Sequence, residues 1–137
     1  MRNIFICLLC MMSMSFFAQE TLPCVAESFD TEKEMREIGV GKGENAFAAT
    51  LNAVSYALAN IKTRIERTYP EYQFIYETAG TSTAEGEQIE IETTFGQPNI
   101  ICNEVLMPES DRFIVYLVLE VSLPENHTEN PNDKENN

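Results

Sequence analysis

Between Phe47 and Ile65 the apolar residues Phe47, Leu51, Val54, Leu58, Ile61 and Ile65 follow one another at spacings of 4, 3, 4, 3 and 4. That alternation matches the 3.6-residue turn of an α-helix and sets all six side chains on one stripe. Ala46, Ala53 and Ala57 lie beside the stripe and let a neighbour approach closely, while Lys62, Arg64, Glu66 and Arg67 mark a solvated end. Glu44 and Asn45 suit the start, an acid for the helix dipole and an Asn for the cap. Pro70 enforces the stop, because it drives the residue before it out of helical angles. The spacing therefore predicts a helix over 44–68. Three such heptads could also make a coiled coil, but the flanking segments alternate with a period of two, so the helix is expected to lie on a sheet.

Those flanking segments read as strands. Residues 35–40 make a short one, and Gly39-Val40-Gly41-Lys42-Gly43 after it reads as a turn into the helix. Beyond Pro70, Tyr72, Phe74 and Tyr76 alternate with Gln73, Ile75 and Glu77. Residues 79–86 are small and polar and read as a loop. Ile89, Ile91 and Phe95 alternate with Glu90, Glu92 and Thr94, a strand with one acidic face. The stretch Gly96 to Asn99 is a turn, residues 100–107 a further strand, and residues 108–111 another turn. The last strand, Phe113 to Leu123, is apolar on both sides: Phe113, Val115, Leu117, Leu119, Val121 and Leu123 share one face, while Ile114, Tyr116 and Val118 lie on the other. A two-sided apolar strand belongs at the centre of a sheet. The order strand, helix, then short-turned strands favours antiparallel neighbours. The expected fold is α+β, a two-layer domain with one long helix packed on a mostly antiparallel sheet of four or five strands.

The chain begins Met1-Arg2-Asn3, followed by 14 uncharged residues from Ile4 to Phe17 and then Ala18. A membrane-spanning helix needs about 20 apolar residues. A secretory h-region needs roughly 7–15 with a small residue at the cut. Residues 1–18 therefore read as a signal peptide, 19–33 as an N-terminal arm, 34–123 as the single domain and 124–137 as a disordered acidic tail. Export to the periplasm or the outer cell envelope follows. Lipid attachment requires a small residue before a Cys near the cut. Leu9 precedes Cys10 and Pro23 precedes Cys24, so no lipid anchor is expected, and no transmembrane span is expected in the mature chain. Cys24 and Cys102 remain after cleavage, an even number in an oxidising compartment. They make a candidate disulfide that would clamp the arm onto a strand, or else two separate thiols with Cys102 a small core residue.

The full chain carries a net charge of −13. Of its 9 basic residues only Arg2 leaves with the signal, so 22 acidic residues then face 8 basic ones, a net charge of −14. Nucleic-acid binding is not expected, since phosphate contacts need clusters of Lys and Arg. Nucleophilic catalysis through Ser and His would depend on His127, in the tail. Glu90 with Glu92, and Glu104 with Glu120, offer carboxylate pairs, but alternating glutamates on a strand read as a solvated face. Catalytic residues, cofactors and metal ligands are accordingly none. Gly41, Lys42 and Gly43 form a candidate anion turn at a helix start, although the spacing fits neither a phosphate loop nor a dinucleotide fingerprint. Ile114, Tyr116 and Val118, with Ile75, form a candidate partner surface, unless the arm covers it.

The run Ile38-Gly39-Val40-Gly41, the Ala-rich helix with Ala46, Ala49, Ala53, Ala57 and Ala59, and the closing strand Arg112 to Val121 resemble the small twenty-kilodalton-lipoprotein-like domains of bacterial envelopes. The resemblance spans roughly residues 34–123. It implies an envelope protein with no catalytic residues to carry over. Many members carry a lipidated Cys, whereas neither Cys10 nor Cys24 has the small preceding residue that attachment requires, a departure from the family pattern. The expected function is that of an exported, non-enzymatic protein-interaction or structural module, binding another envelope protein or itself. The alternative is a small-ligand or ion-binding periplasmic module.

Overall fold

The computed structural model describes residues 24–107 and 111–124. The expected signal segment, the first residues of the arm and the tail beyond Pro124 lie outside the described residues. A short 3-10 turn, Val25–Glu27, is followed by β1 (Glu34–Gly43), α1 (Ala46–Thr68), β2 (Tyr76–Thr83), β3 (Gly86–Thr93), β4 (Asn99–Leu106) and β5 (Phe113–Ser122). The fold is α+β, with one long helix against antiparallel strands.

The helix begins where the cap residue predicted it. Asn45 is extended, and its side-chain oxygen accepts a hydrogen bond from the Ala48 amide at 2.8 Å. This satisfies one of the donors that a first turn leaves without partners. The helix ends at Thr68, with Tyr69 as its C-cap directly before Pro70.

The strands make two sheets, one ordered β1-β5-β4 and the other the hairpin β2-β3. The expected single sheet of four or five strands is corrected here. β5 pairs with β1 on one side and β4 on the other, both antiparallel. Its central place agrees with its two apolar faces. Val115, Leu117, Leu119 and Val121 meet Val54, Leu58, Ile61 and Ile65 of the helix and Phe74 in one buried cluster. Each fully buried aliphatic side chain of this kind contributes about 2 kcal/mol of apolar transfer.

Residues 39–43 are not a turn. They form the second half of β1, paired with Leu117 through Phe113 of β5. Gly39, Gly41 and Gly43 occur at every second position, so all three face the helix. A Cβ on Gly39 would overlap the Ala53 carbonyl, and one on Gly41 would overlap the Ala49 carbonyl oxygen and the Ala53 amide nitrogen. A Cβ on Gly43 would stand 2.5 Å from the Ala49 amide nitrogen. Strand and helix therefore touch backbone to backbone, with Ala49, Ala53 and Ala57 fully buried along the seam. The glycines give the strand a flat face rather than a bend.

Residues 79–86 are not a loop either. They complete β2 and start β3, with the turn closed by Thr83, whose hydroxyl accepts from the Glu85 amide and donates to the Gly86 carbonyl. The hairpin runs along the helix, where Gly80 leaves room for Phe47 and Leu51. Those two side chains, the N-terminal part of the predicted stripe, are half-buried against the hairpin rather than inside the main core. Residues 72–75, expected in a strand, precede β2. Phe74 among them is fully buried and stacks edge-on against Phe95 at 5.4 Å between centroids.

Candidate functional site

The β1-β5-β4 sheet has a helix side and an outer side, and the candidate surface lies on the outer one. Val118 is fully buried there, while Ile114 and Tyr116 are half-buried. The cover is the arm. Cys24 and Cys102 are joined in a disulfide with their Cα atoms 5.8 Å apart, within the range such bonds require. Cys102 lies opposite Val118, and Cys24 Sγ sits 3.9 Å from the Tyr116 carbonyl oxygen. The bond thus holds residue 24 over the middle of β5. Val118 is removed from the candidate partner surface, and Ile75 lies elsewhere, at the base of the hairpin beside Tyr76, Glu77 and Glu92.

Ionic contacts hold the other end of the arm. Arg64 on α1 donates to the carboxylates of Asp30 and Glu37, the latter at 2.9 Å, and to the Arg36 carbonyl at 2.8 Å. Asp30 also accepts from the Arg36 amide at 2.8 Å. On the outer side Arg36 clasps Glu120, its cross-strand partner, through two nitrogens at 2.7 and 2.8 Å. Burial alone would lower the Arg64 pKa, but the hydrogen bonds to Glu37 and Asp30, with the charges of both acids, hold it above its ordinary value. A raised cationic group contributes stability that is complete below its unfolded pKa and is lost as pH rises through the folded one. For Arg64 that loss falls in strong alkali, so its contribution is constant across the neutral range. Arg64→Met is expected to lower stability by about 1–2 kcal/mol, since the contacts are charge-assisted but partly exposed. Urea unfolding at pH 6, 7 and 8 checks this, and the same difference is expected at each pH.

A surface not expected from the sequence lies on β4. A bulge between Ile100 and Cys102 shifts the register, so Ile100 lies opposite Leu119 and Val105 opposite Val115. Both therefore point to the helix side of the sheet. The helix packs on β1 and β5 and leaves β4 uncovered. Ile100 is 40% exposed and Val105 45%, on the side where their neighbours in β5 are fully buried. Leu106 and Met107 are exposed beyond them, and the far edge of β4 has no strand partner among the described residues. The signal in the sequence was Val105-Leu106-Met107, three apolar residues in a row at the end of a strand. That run implies an apolar residue on each side but does not say which side is covered.

The remaining candidates do not assemble. Gly41 and Gly43 are spent against the helix, and Lys42, opposite Ile114, points to the outer side, away from the helix start. The candidate anion turn is therefore corrected to a packing seam. Glu104 lies opposite Tyr116, whereas Glu120 is held by Arg36. Four strand residues, about 13 Å, separate their positions, too far for the paired-carboxylate geometries of glycoside hydrolysis. The Glu104 carboxylate lies within 4.8 Å of both cysteine sulfurs, but these are bonded to each other and offer no thiolate to a metal. Glu90 and Glu92 are exposed on β3. His127 lies outside the described residues. No helix among the described residues is long and apolar enough to cross a membrane.

No protein-family model matches the chain, and comparison with characterised proteins and with solved structures returned no match.

Proposed function

We propose that this chain is an exported, non-enzymatic domain of the cell envelope that acts by binding another envelope protein through β4. The observation that carries the reading is the uncovered helix side of that strand, where Ile100 and Val105 meet solvent beside Leu106 and Met107. Apolar residues grouped beside an open strand edge favour docking over solvation. Export is supported by the uncharged run from Ile4 to Phe17 and by the Cys24–Cys102 disulfide, a bond that persists in oxidising compartments. The resemblance of residues 34–123 to the twenty-kilodalton-lipoprotein-like domains points to the same place.

The test is site-specific photo-crosslinking in the producing cell, with a photoreactive residue at position 105 and, as a control, at the exposed helix position 63. A discrete envelope protein joined from position 105 and not from 63 is the expected result. Leu106→Lys should weaken that adduct about tenfold while the far-ultraviolet spectrum stays native. Identical labelling from both positions would sink the proposal. The same sample reports export through the mass of the mature N-terminus, expected at Gln19.

A further inference from the structure

A second surface lies on the hairpin. A groove of about 620 Å³ is lined by residues 88–93 together with Gly96 and Gln97. Six consecutive strand residues have side chains on both faces of the ribbon. Their joint presence means that the groove follows the edge of β3 rather than either of its faces. That edge carries no neighbour among the described residues, because β3 pairs only with β2. Along it Ile89 and Ile91 lie on the half-buried side, while Gln88, Glu90 and Glu92 are exposed.

The register of the hairpin adds a charge pattern to this open backbone. Glu92 lies directly opposite Glu77 and Glu90 opposite Ala79, so three carboxylates share the solvent face. Like charges opposite one another on a sheet are destabilising, and no cation pairs with these three among the described residues. The same pattern selects the occupant. A second copy of β3 added to this edge would set glutamate beside glutamate. An extended segment with Lys or Arg at alternate positions would set cation beside glutamate on one face and its apolar residues beside Ile89 and Ile91 on the other. The net charge of −13 attracts such a segment at long range.

We propose that the free edge of β3 binds an extended, basic segment of a partner protein by strand addition. The partner alternates cationic and apolar residues over the length of the groove. Main-chain hydrogen bonds give the affinity in this mode, and the alternate side chains give the choice. This site is separate from β4, and neither proposal depends on the other.

The experiment uses the mature, disulfide-bonded chain labelled with nitrogen-15 and a capped hexapeptide of alternating lysine and valine. Titration at low salt is expected to shift the amides of residues 88–93 and 97 and to leave those of β1 and β5 in place. Glu90→Lys combined with Glu92→Lys should weaken binding at least tenfold. A peptide of the same sequence, N-methylated at every residue, keeps the charge but has no backbone N–H on either edge with which to pair with the strand, and it should bind at least tenfold more weakly. Equal binding of the N-methylated peptide would reduce the effect to bulk charge and overturn strand addition. So would shifts that bypass β3, self-association mapped to β3, or the absence of any shift at millimolar peptide.

Discussion

Gly41→Val is expected to cost at least about 3 kcal/mol and to leave little folded domain at 37 °C. The magnitude follows from what the new side chain meets. Its Cβ would stand 2.0 Å from the Ala49 carbonyl oxygen and 2.3 Å from the Ala53 amide nitrogen, atoms of the helix backbone that no rotamer change can move. The helix would have to rise off β1, which would break its packing on β5 as well, where most of the core lies. Even Gly41→Ala should be severe, and Ala49→Gly should not rescue it, because the opposing atom belongs to the backbone. Gly39→Ala is expected to behave in the same way against the Ala53 carbonyl. Thr81→Ala, on the exposed hairpin, should stay within about 0.5 kcal/mol of the parent. Urea denaturation followed by circular dichroism measures all of these, and a near-neutral Gly41→Val would disprove the backbone seam.

Cys24→Ser with Cys102→Ser is expected to cost about 4 kcal/mol. The bond closes a loop with a sequence separation of 78, and its loss restores that much freedom to the unfolded chain. For a domain of this size the melting temperature should fall by roughly 20 °C. The loss should spread unevenly. Cys24 covers Val118 from the outer side, whereas the seam between α1 and β1 does not touch the bond. Hydrogen exchange should therefore rise first at residues 24–29 and on β4, while the helix stays protected. A melting temperature unchanged between oxidised and reduced protein would show that the loop constraint is absent.

Several elements were legible without coordinates because their causes are local. The helix limits followed from Asn45, the apolar spacing and Pro70. The central place of β5 followed from its two apolar faces. The expected strand over residues 35–40 and the Gly-rich run after it form one continuous strand rather than a strand and a turn. Glycine at alternate positions is a turn signal when considered alone. Only the nearness of Ala49 and Ala53 makes it a strand surface. The expected loop over 79–86 differs for a similar reason: Ala79, Gly80 and Ser82 are weak strand formers, and the segment 79–83 is a strand because β3 pairs with it and Phe47 and Leu51 pack against Gly80.

The candidate surfaces divide along the same line. Sequence periodicity placed Ile114, Tyr116 and Val118 on one face, and the register agrees that they share it. It could not tell that Val118 is closed over, since the cover comes from Cys24, 94 positions earlier in the chain. Nor could it show that the helix side of β4 stays uncovered, since that exposure depends on the helix lying over β1 and β5. The sequence by itself determined the elements with local causes: the capped and terminated helix, the apolar last strand and the acidic composition. Tertiary structure alone decided which strands became neighbours, which glycines touched the helix, and which apolar side chains remained in water. The physical reason is range. Capping, periodicity and proline act over a few residues, whereas burial is settled by whatever segment arrives from elsewhere in the chain.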